Sequence, residues 1–187
     1  MVSLPEFITI TDKGIIVPKQ EIKLVSSKDP ILYQSMPYFD FEKHNAIEIA
    51  NDLIDMLKKY GGVGLAANQI GYKHRVFVAG KDDNIVAYFN PEILAVSIEK
   101  LSLEEGCLSF PGLFLKVTRP DRIRVRYQDF NGVFHEEDFS GLTSRVYQHE
   151  LDHCNGVVFT SHVGSLALSM AKEKRNKLEK KIERAKK

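Results

Sequence analysis

Two histidines four residues apart, His149 and His153, bracket Glu150-Leu151-Asp152. Side chains four apart on an α-helix differ by about 40° around the axis, so both imidazoles would project from one face toward a single metal ion. Glu150, one residue past His149, is turned about 100° away and would stand beside such an ion without binding it. That placement suits a general base acting on a metal-held water. Asp152 has two readings here: orienting a histidine through its second nitrogen, or capping a nearby strand.

Two ligands fall short of a catalytic centre, which typically uses three protein ligands and keeps one position open. Cys107 lies in Glu104-Glu105-Gly106-Cys107-Leu108-Ser109-Phe110-Pro111-Gly112, a turn-rich stretch between strands. A thiolate there offers a third donor; a buried free thiol is the plain alternative. Cys154 follows His153 directly and points about 100° off the ligand face, so it is expected to pack at the helix end.

A third segment runs Gly61-Gly62-Val63-Gly64-Leu65-Ala66-Ala67-Asn68-Gln69-Ile70-Gly71. It lacks the Gly-Lys-Ser/Thr ending of a phosphate loop, and the helix before it argues against a dinucleotide fingerprint. Small residues let a backbone or ligand approach closely, and Gln69 offers an amide that both donates and accepts. By itself the segment reads as a tight loop.

Taken together, Gly62 to Gln69, Glu105-Gly106-Cys107-Leu108-Ser109 and His149-Glu150-Leu151-Asp152-His153 resemble the three signature motifs of the peptide deformylase family in sequence, order and spacing. Asp29-Pro30-Ile31-Leu32 is similar to the opening of that family's core, and the resemblance covers roughly residues 22–165. It implies one divalent metal, natively Fe²⁺ and replaceable by Zn²⁺, Ni²⁺ or Co²⁺, held by Cys107, His149 and His153. It implies attack by metal-bound water on the N-formyl group of formylmethionyl nascent peptides, with Glu150 as general base and then acid, releasing formate. Gln69 and the backbone N–H of Leu108 would bind the oxyanion. The peptide would pair with backbone near Val63, Gly64 and Gly106, and its methionine would enter a pocket to which Leu142 and Val146 contribute. Cys154 and Phe114 depart from the commonest family pattern. Glu105 and Arg119 are expected to pair and steady the cysteine loop.

The elements that must position these residues are partly legible. Apolar side chains at Ile47, Ala50, Leu53, Ile54 and Leu57 predict a helix over 46–60, capped by Asn45 and ended by Gly61-Gly62. Val76-Phe77-Val78 and Ile85 to Phe89 read as strands, the second closed by Asn90-Pro91. Arg122 to Tyr127 alternates as a strand with one wet face, and Asp129-Phe130-Asn131-Gly132 predicts a hairpin into Val133-Phe134. A second helix is expected over 142–154 with Ser140 or Thr143 near its cap, and a polar third one from about Ser165. The reading is α+β, with mainly antiparallel sheets packed around a central helix carrying the H-E-x-x-H motif. Residues 1–28 could form an extended arm or a short hairpin.

With 187 residues, 43% of them hydrophobic, one core is the default and a membrane-spanning or largely disordered chain is disfavoured. We expect a single catalytic domain over 1–169, with 1–21 as an N-terminal arm, and a basic helical tail over 170–187. That tail holds nine Lys or Arg against three Glu, while the rest of the chain is net acidic. The tail resembles the C-terminal helix by which some deformylases contact the ribosome; a solvated terminal helix is the alternative. Two cysteines, no apolar membrane run and no secretory pattern suggest a cytoplasmic, reducing setting without membrane attachment. His44, His74, His135 and His162 have no partner at ligand spacing. Two rival readings are a metalloprotease with a downstream third ligand, and a closed structural zinc site that adds Cys154.

Overall fold

The structure, a computed structural model, describes the backbone of residues 9–11, 14–16 and 21–185 and the side chains of residues 21–184. Most of the arm expected over 1–21, and Lys186 and Lys187 of the tail, fall outside these residues. Strands β1 (Thr9–Thr11) and β2 (Gly14–Ile16) pair antiparallel as a short hairpin.

Helix α1 (Ala46–Tyr60) begins where Asn45 Oδ1 accepts the Glu48 N–H at 3.2 Å. It ends at Gly61, whose φ of +68° is the left-handed conformation that glycine adopts without a Cβ clash. The buried face is Ala46, Ile49, Ala50, Leu53, Met56 and Leu57. Ile47, expected in the stripe, is instead 57% exposed, because that face centres on Leu53 and lies to the other side of the helix.

A five-stranded antiparallel sheet follows in the order β3-β4-β5-β8-β9, from β3 (Gly64–Ala66), β4 (Val76–Ala79), β5 (Val86–Val96), β8 (Arg122–Gln128) and β9 (Phe134–Ser140). Between β5 and β8, strands β6 (Lys100–Gly106) and β7 (Phe114–Pro120) form a separate hairpin. The sheet is covered on both faces. Val76 and Val78 pack with α1, while Phe77 between them packs with Tyr147 and Leu151 of helix α2 (Gly141–Cys154). Burial on both faces is why β4 reads as a continuous apolar run rather than an alternation. In β8 only Ile123, Val125 and Tyr127 turn inward, so the alternation survives there. The predicted hairpin joins β8 to β9, with Gln128 opposite Phe134.

Asn90-Pro91 does not close its strand. β5 continues through it, with a register shift between Phe89 and Glu92 and Asn90 at φ +51°. Proline has no N–H for a ladder and is accommodated at a bulge. Asn90 pins that bulge: Oδ1 accepts Phe39 N–H at 2.6 Å, while Nδ2 donates to Phe39 O at 3.1 Å and Gln128 Oε1 at 2.8 Å. Helix α3 (Ser165–Ala185) then places Leu168 and Ala171 against Leu115, Val117 and Phe159. No helix among the described residues is long and apolar enough to cross a membrane.

Candidate metal centre

Three elements converge on one cleft of about 900 Å³: the edge strand β3 with the short 3₁₀ turn Ala67–Ile70, the loop between β6 and β7, and one face of α2. The segment read as a tight loop is therefore partly a strand, since Gly64, Leu65 and Ala66 pair with β4.

Cys107 starts the β6–β7 loop, and His149 and His153 lie on α2. One donor atom from each lies within 4.8 Å of the others, with Cys107 Sγ 3.3 Å from His153 Nε2. Both imidazoles are buried, and Cys107 is partly so. Burial, with the neighbouring His149 and Arg119 charges, holds His153 well below the usual imidazole range, so its lone pair is free to bind a cation. For His149 burial acts in the same direction, but contacts with Cys107 and Glu105 outweigh it and push it up to about 10. Cys107 and Glu105 thus favour positive charge at His149, while His153 is held neutral. His153 Nδ1 and Glu150 Oε2 are buried with no hydrogen-bond partner among the described residues. A thiolate and two imidazoles match the donor set and number of a three-ligand site for a divalent transition metal.

Glu150 is 4% exposed and lies against β3: a Cβ on Gly64 would come within 2.8 Å of its Cγ and Cδ atoms. What approaches Gly64 is therefore the Glu150 carboxylate, whereas Gly62 faces the Leu57 and Leu108 side chains. Burial pushes its pKa up to about 7, against the lowering influence of His149. Gln69 is 1% exposed; its Oε1 accepts Ala66 N–H at 2.8 Å. That bond turns Nε2 toward Ser109 Oγ at 3.1 Å and Cys107 Sγ at 3.4 Å. Leu108, Gly106 and Val63 line the cleft; Leu142, 68% exposed, and Val146 line its α2 side.

Cys154 lies elsewhere. It packs with Tyr147 and Leu151, its Sγ 3.9 Å from Val76 O, and burial pushes its thiol up to about 12. It takes no part in the donor cluster, which removes the basis for a closed four-ligand site. Asp152 meets a histidine, but not one of the donor cluster, and it caps no strand among the described residues. It accepts Arg119 Nη1 at 2.7 Å, and the histidine it meets is His162.

The carboxylate that orients a site histidine is Glu105, with Oε2 3.0 Å from His149 Nδ1. Glu105 also takes both Arg119 Nε at 2.7 Å and Arg119 Nη2 at 3.0 Å, the expected pair, and Arg145 Nη1 at 2.9 Å. Arg145 and Ser109 escaped sequence reasoning. Arg145 stands four residues before His149 on the same helical face, which was a usable signal.

Residues 22–169 match the family model for polypeptide deformylase. The chain belongs to the polypeptide deformylase family. It is 41% identical to the peptide deformylase of Thermotoga maritima over 136 residues, which cover 72% of this chain and 82% of that one. The crystal structure of the Thermotoga maritima enzyme superposes with a TM-score of 0.73 at 38% identity, covering 78% and 99% of the two chains. A Plasmodium falciparum peptide deformylase structure gives 0.76 at 33%, covering 86% and 97%. Membership makes the chain an enzyme, a metal-dependent hydrolase of the deformylase class acting on formylated nascent peptides.

Proposed function

We propose that the chain hydrolyses the N-formyl group from the terminal formylmethionine of new polypeptides, with Glu150 moving the proton and with formate and a free amine as products. One observation carries this reading: the Cys107, His149 and His153 donors share a cleft with the Glu150 oxygen, unpartnered among the described residues, and with the oriented Gln69 amide. Cys107, His149 and His153 would hold the metal, with Fe²⁺ as the native ion and Zn²⁺, Ni²⁺ or Co²⁺ as substitutes. When bound, a divalent cation supplies Lewis acidity, polarising a carbonyl and making water acidic near neutral pH.

The remaining steps belong to this chain's side chains. Glu150, buried and with an elevated pKa, accepts a proton from the attacking water and delivers it to the leaving amine. Gln69 Nε2, together with the Leu108 N–H, donates to the oxygen that gains charge; one such donor is typically worth about 10²–10³ in kcat. Among the described residues β3 and β6 each lack a partner on one edge and both line the cleft, so an extended peptide can pair at Val63, Gly64 and Gly106. Leu142 and Val146 offer apolar surface to the methionine side chain.

We further propose a catalytic domain over 1–169, including the arm 1–21, and a tail over 170–187 that contacts ribosomal RNA. Free thiols at Cys107 and Cys154 support a reducing, cytoplasmic setting. The deciding assay measures formate release from formyl-Met-Ala-Ser. Turnover is expected in the unmodified chain and loss by about 10²–10⁴ in Glu150→Gln with metal content retained; full activity of that variant would refute the scheme.

A further inference from the structure

We propose that His162 is a positioning residue for the metal centre, acting on His149 through Asp152, Arg119 and Glu105. The inference rests on Cys107, His149 and His153 being the metal ligands. The contacts form one unbroken line. His162 Nε2 lies 2.7 Å from Asp152 Oδ2; Arg119 Nη1 donates to the same oxygen at 2.7 Å. Arg119 Nε and Nη2 clasp both oxygens of Glu105, whose Oε2 meets His149 Nδ1 at 3.0 Å.

The inner links are enclosed, with the Arg119 and Glu105 side chains 5% and 4% exposed, so neither has solvent to replace a lost partner. The outer links differ: Asp152 is 20% exposed and His162 34%. A polar cavity of about 490 Å³, lined by Asp152, Arg119 and Gln148, lies at this end of the line. Asp152 therefore has room to swing away from Arg119. The His162 N–H restrains it by donating to the oxygen that faces Arg119.

Local chain geometry makes that restraint firm. His162 ends the 3₁₀ turn Phe159–His162, whose other end packs the Phe159 ring 5.7 Å from the His149 ring. The turn thus grips α2 at two points, one on a ligand imidazole and one on the charge line behind it. With Asp152 free to rotate, the Arg119 fork loses its third anchor, and the Glu105 carboxylate that orients His149 gains latitude. Oriented outer carboxylates commonly control metal retention.

The test loads the full chain with Co²⁺ and follows the thiolate-to-cobalt absorption and the rate of metal loss to a chelator. His162→Ala is expected to shift the absorption and speed loss by about threefold to tenfold. His162→Gln, which keeps an amide N–H at a similar reach, should behave as the unmodified chain does. Adding His162→Ala to Asp152→Asn should produce no further change, because the two act on one line. An unchanged rate in His162→Ala, or additive effects in the double variant, overturns the proposal. Failure of the unmodified chain to bind Co²⁺ overturns the ligand assignment and this inference with it.

Discussion

Glu105 Oε2 stands 3.0 Å from His149 Nδ1, and that contact sets which nitrogen of the imidazole carries the proton. An N–H held by the carboxylate makes Nε2 the nitrogen that would give up its proton to a cation on the side of Cys107. Burial by itself would raise the pKa of Glu105. Hydrogen bonds from His149 and Arg119, with the Arg119 charge, reverse this and hold it far below the usual carboxylate range. Glu105 is thus an anion shared by one imidazole and two guanidinium groups.

Replacing that anion should cost both stability and metal. Glu105→Gln leaves Arg119 and Arg145 buried without their common counter-charge, which we expect to lower unfolding free energy by about 3–5 kcal/mol. Metal should be lost to chelators about 10–100 times faster. Denaturant titration and metal-release kinetics check the two effects separately. Because the folded pKa is depressed, the contribution of Glu105 is complete above its ordinary value of 4.5 and fades as pH falls below it. Acid unfolding of the Gln variant should therefore be less steep.

The pH dependence of turnover follows from Glu150. As a base it must be ionised, and burial pushes its pKa up to about 7. A bound cation opposes that shift, so kcat/KM should fall tenfold per pH unit below an apparent pKa at or under 7, with a plateau above it. Steady-state profiles of the unmodified chain and Glu150→Gln provide the check. Persistence of the same acid limb in the variant would assign it to another group.

Gly64 is needed for space rather than for backbone freedom. Its ideal Cβ would collide with the Glu150 carboxylate, Cγ and Cδ included, at 2.8 Å. Gly64→Ala should displace Glu150 and reduce kcat by about 10²-fold, since small misplacements of reacting groups are costly. Metal content should stay near that of the unmodified chain, because the three atoms nearest the new methyl all belong to Glu150 and none to Cys107, His149 or His153.

The tail can be removed only in part without disturbing the core. Leu168 and Ala171 pack with Phe159, and Gly112 of the cysteine loop lies against the aliphatic stem of Arg175. Truncation after Asn176, which keeps Arg175 and removes Lys177, Lys180, Lys181, Arg184, Lys186 and Lys187, should preserve turnover of short formyl peptides while abolishing ribosome co-sedimentation. Binding by the intact chain should weaken steeply with salt, as phosphate contacts do. Unaltered sedimentation of the truncated chain would reject the ribosome contact.

His149, Glu150 and His153 are legible from sequence because helical periodicity alone relates them, as it places the Asn45 cap and Gly61 stop of α1. Alternation along β8 and the Asn131-Gly132 turn are equally local. The path of β5 through Asn90-Pro91 was not, because the Phe39 and Gln128 partners of Asn90 lie 51 and 38 residues away. Meetings at the site have the same origin: Gln69 reaches Cys107 across 38 residues, and Cys107 reaches His153 across 46. Residue types and short-range periods dictated which groups this protein owns and which helix presents two of them. Sheet register and packing alone decided that Glu105, not Asp152, stands behind His149, and that Asp152 turns to Arg119 and His162. Such contacts depend on where whole strands and helices settle, and no local spacing encodes that.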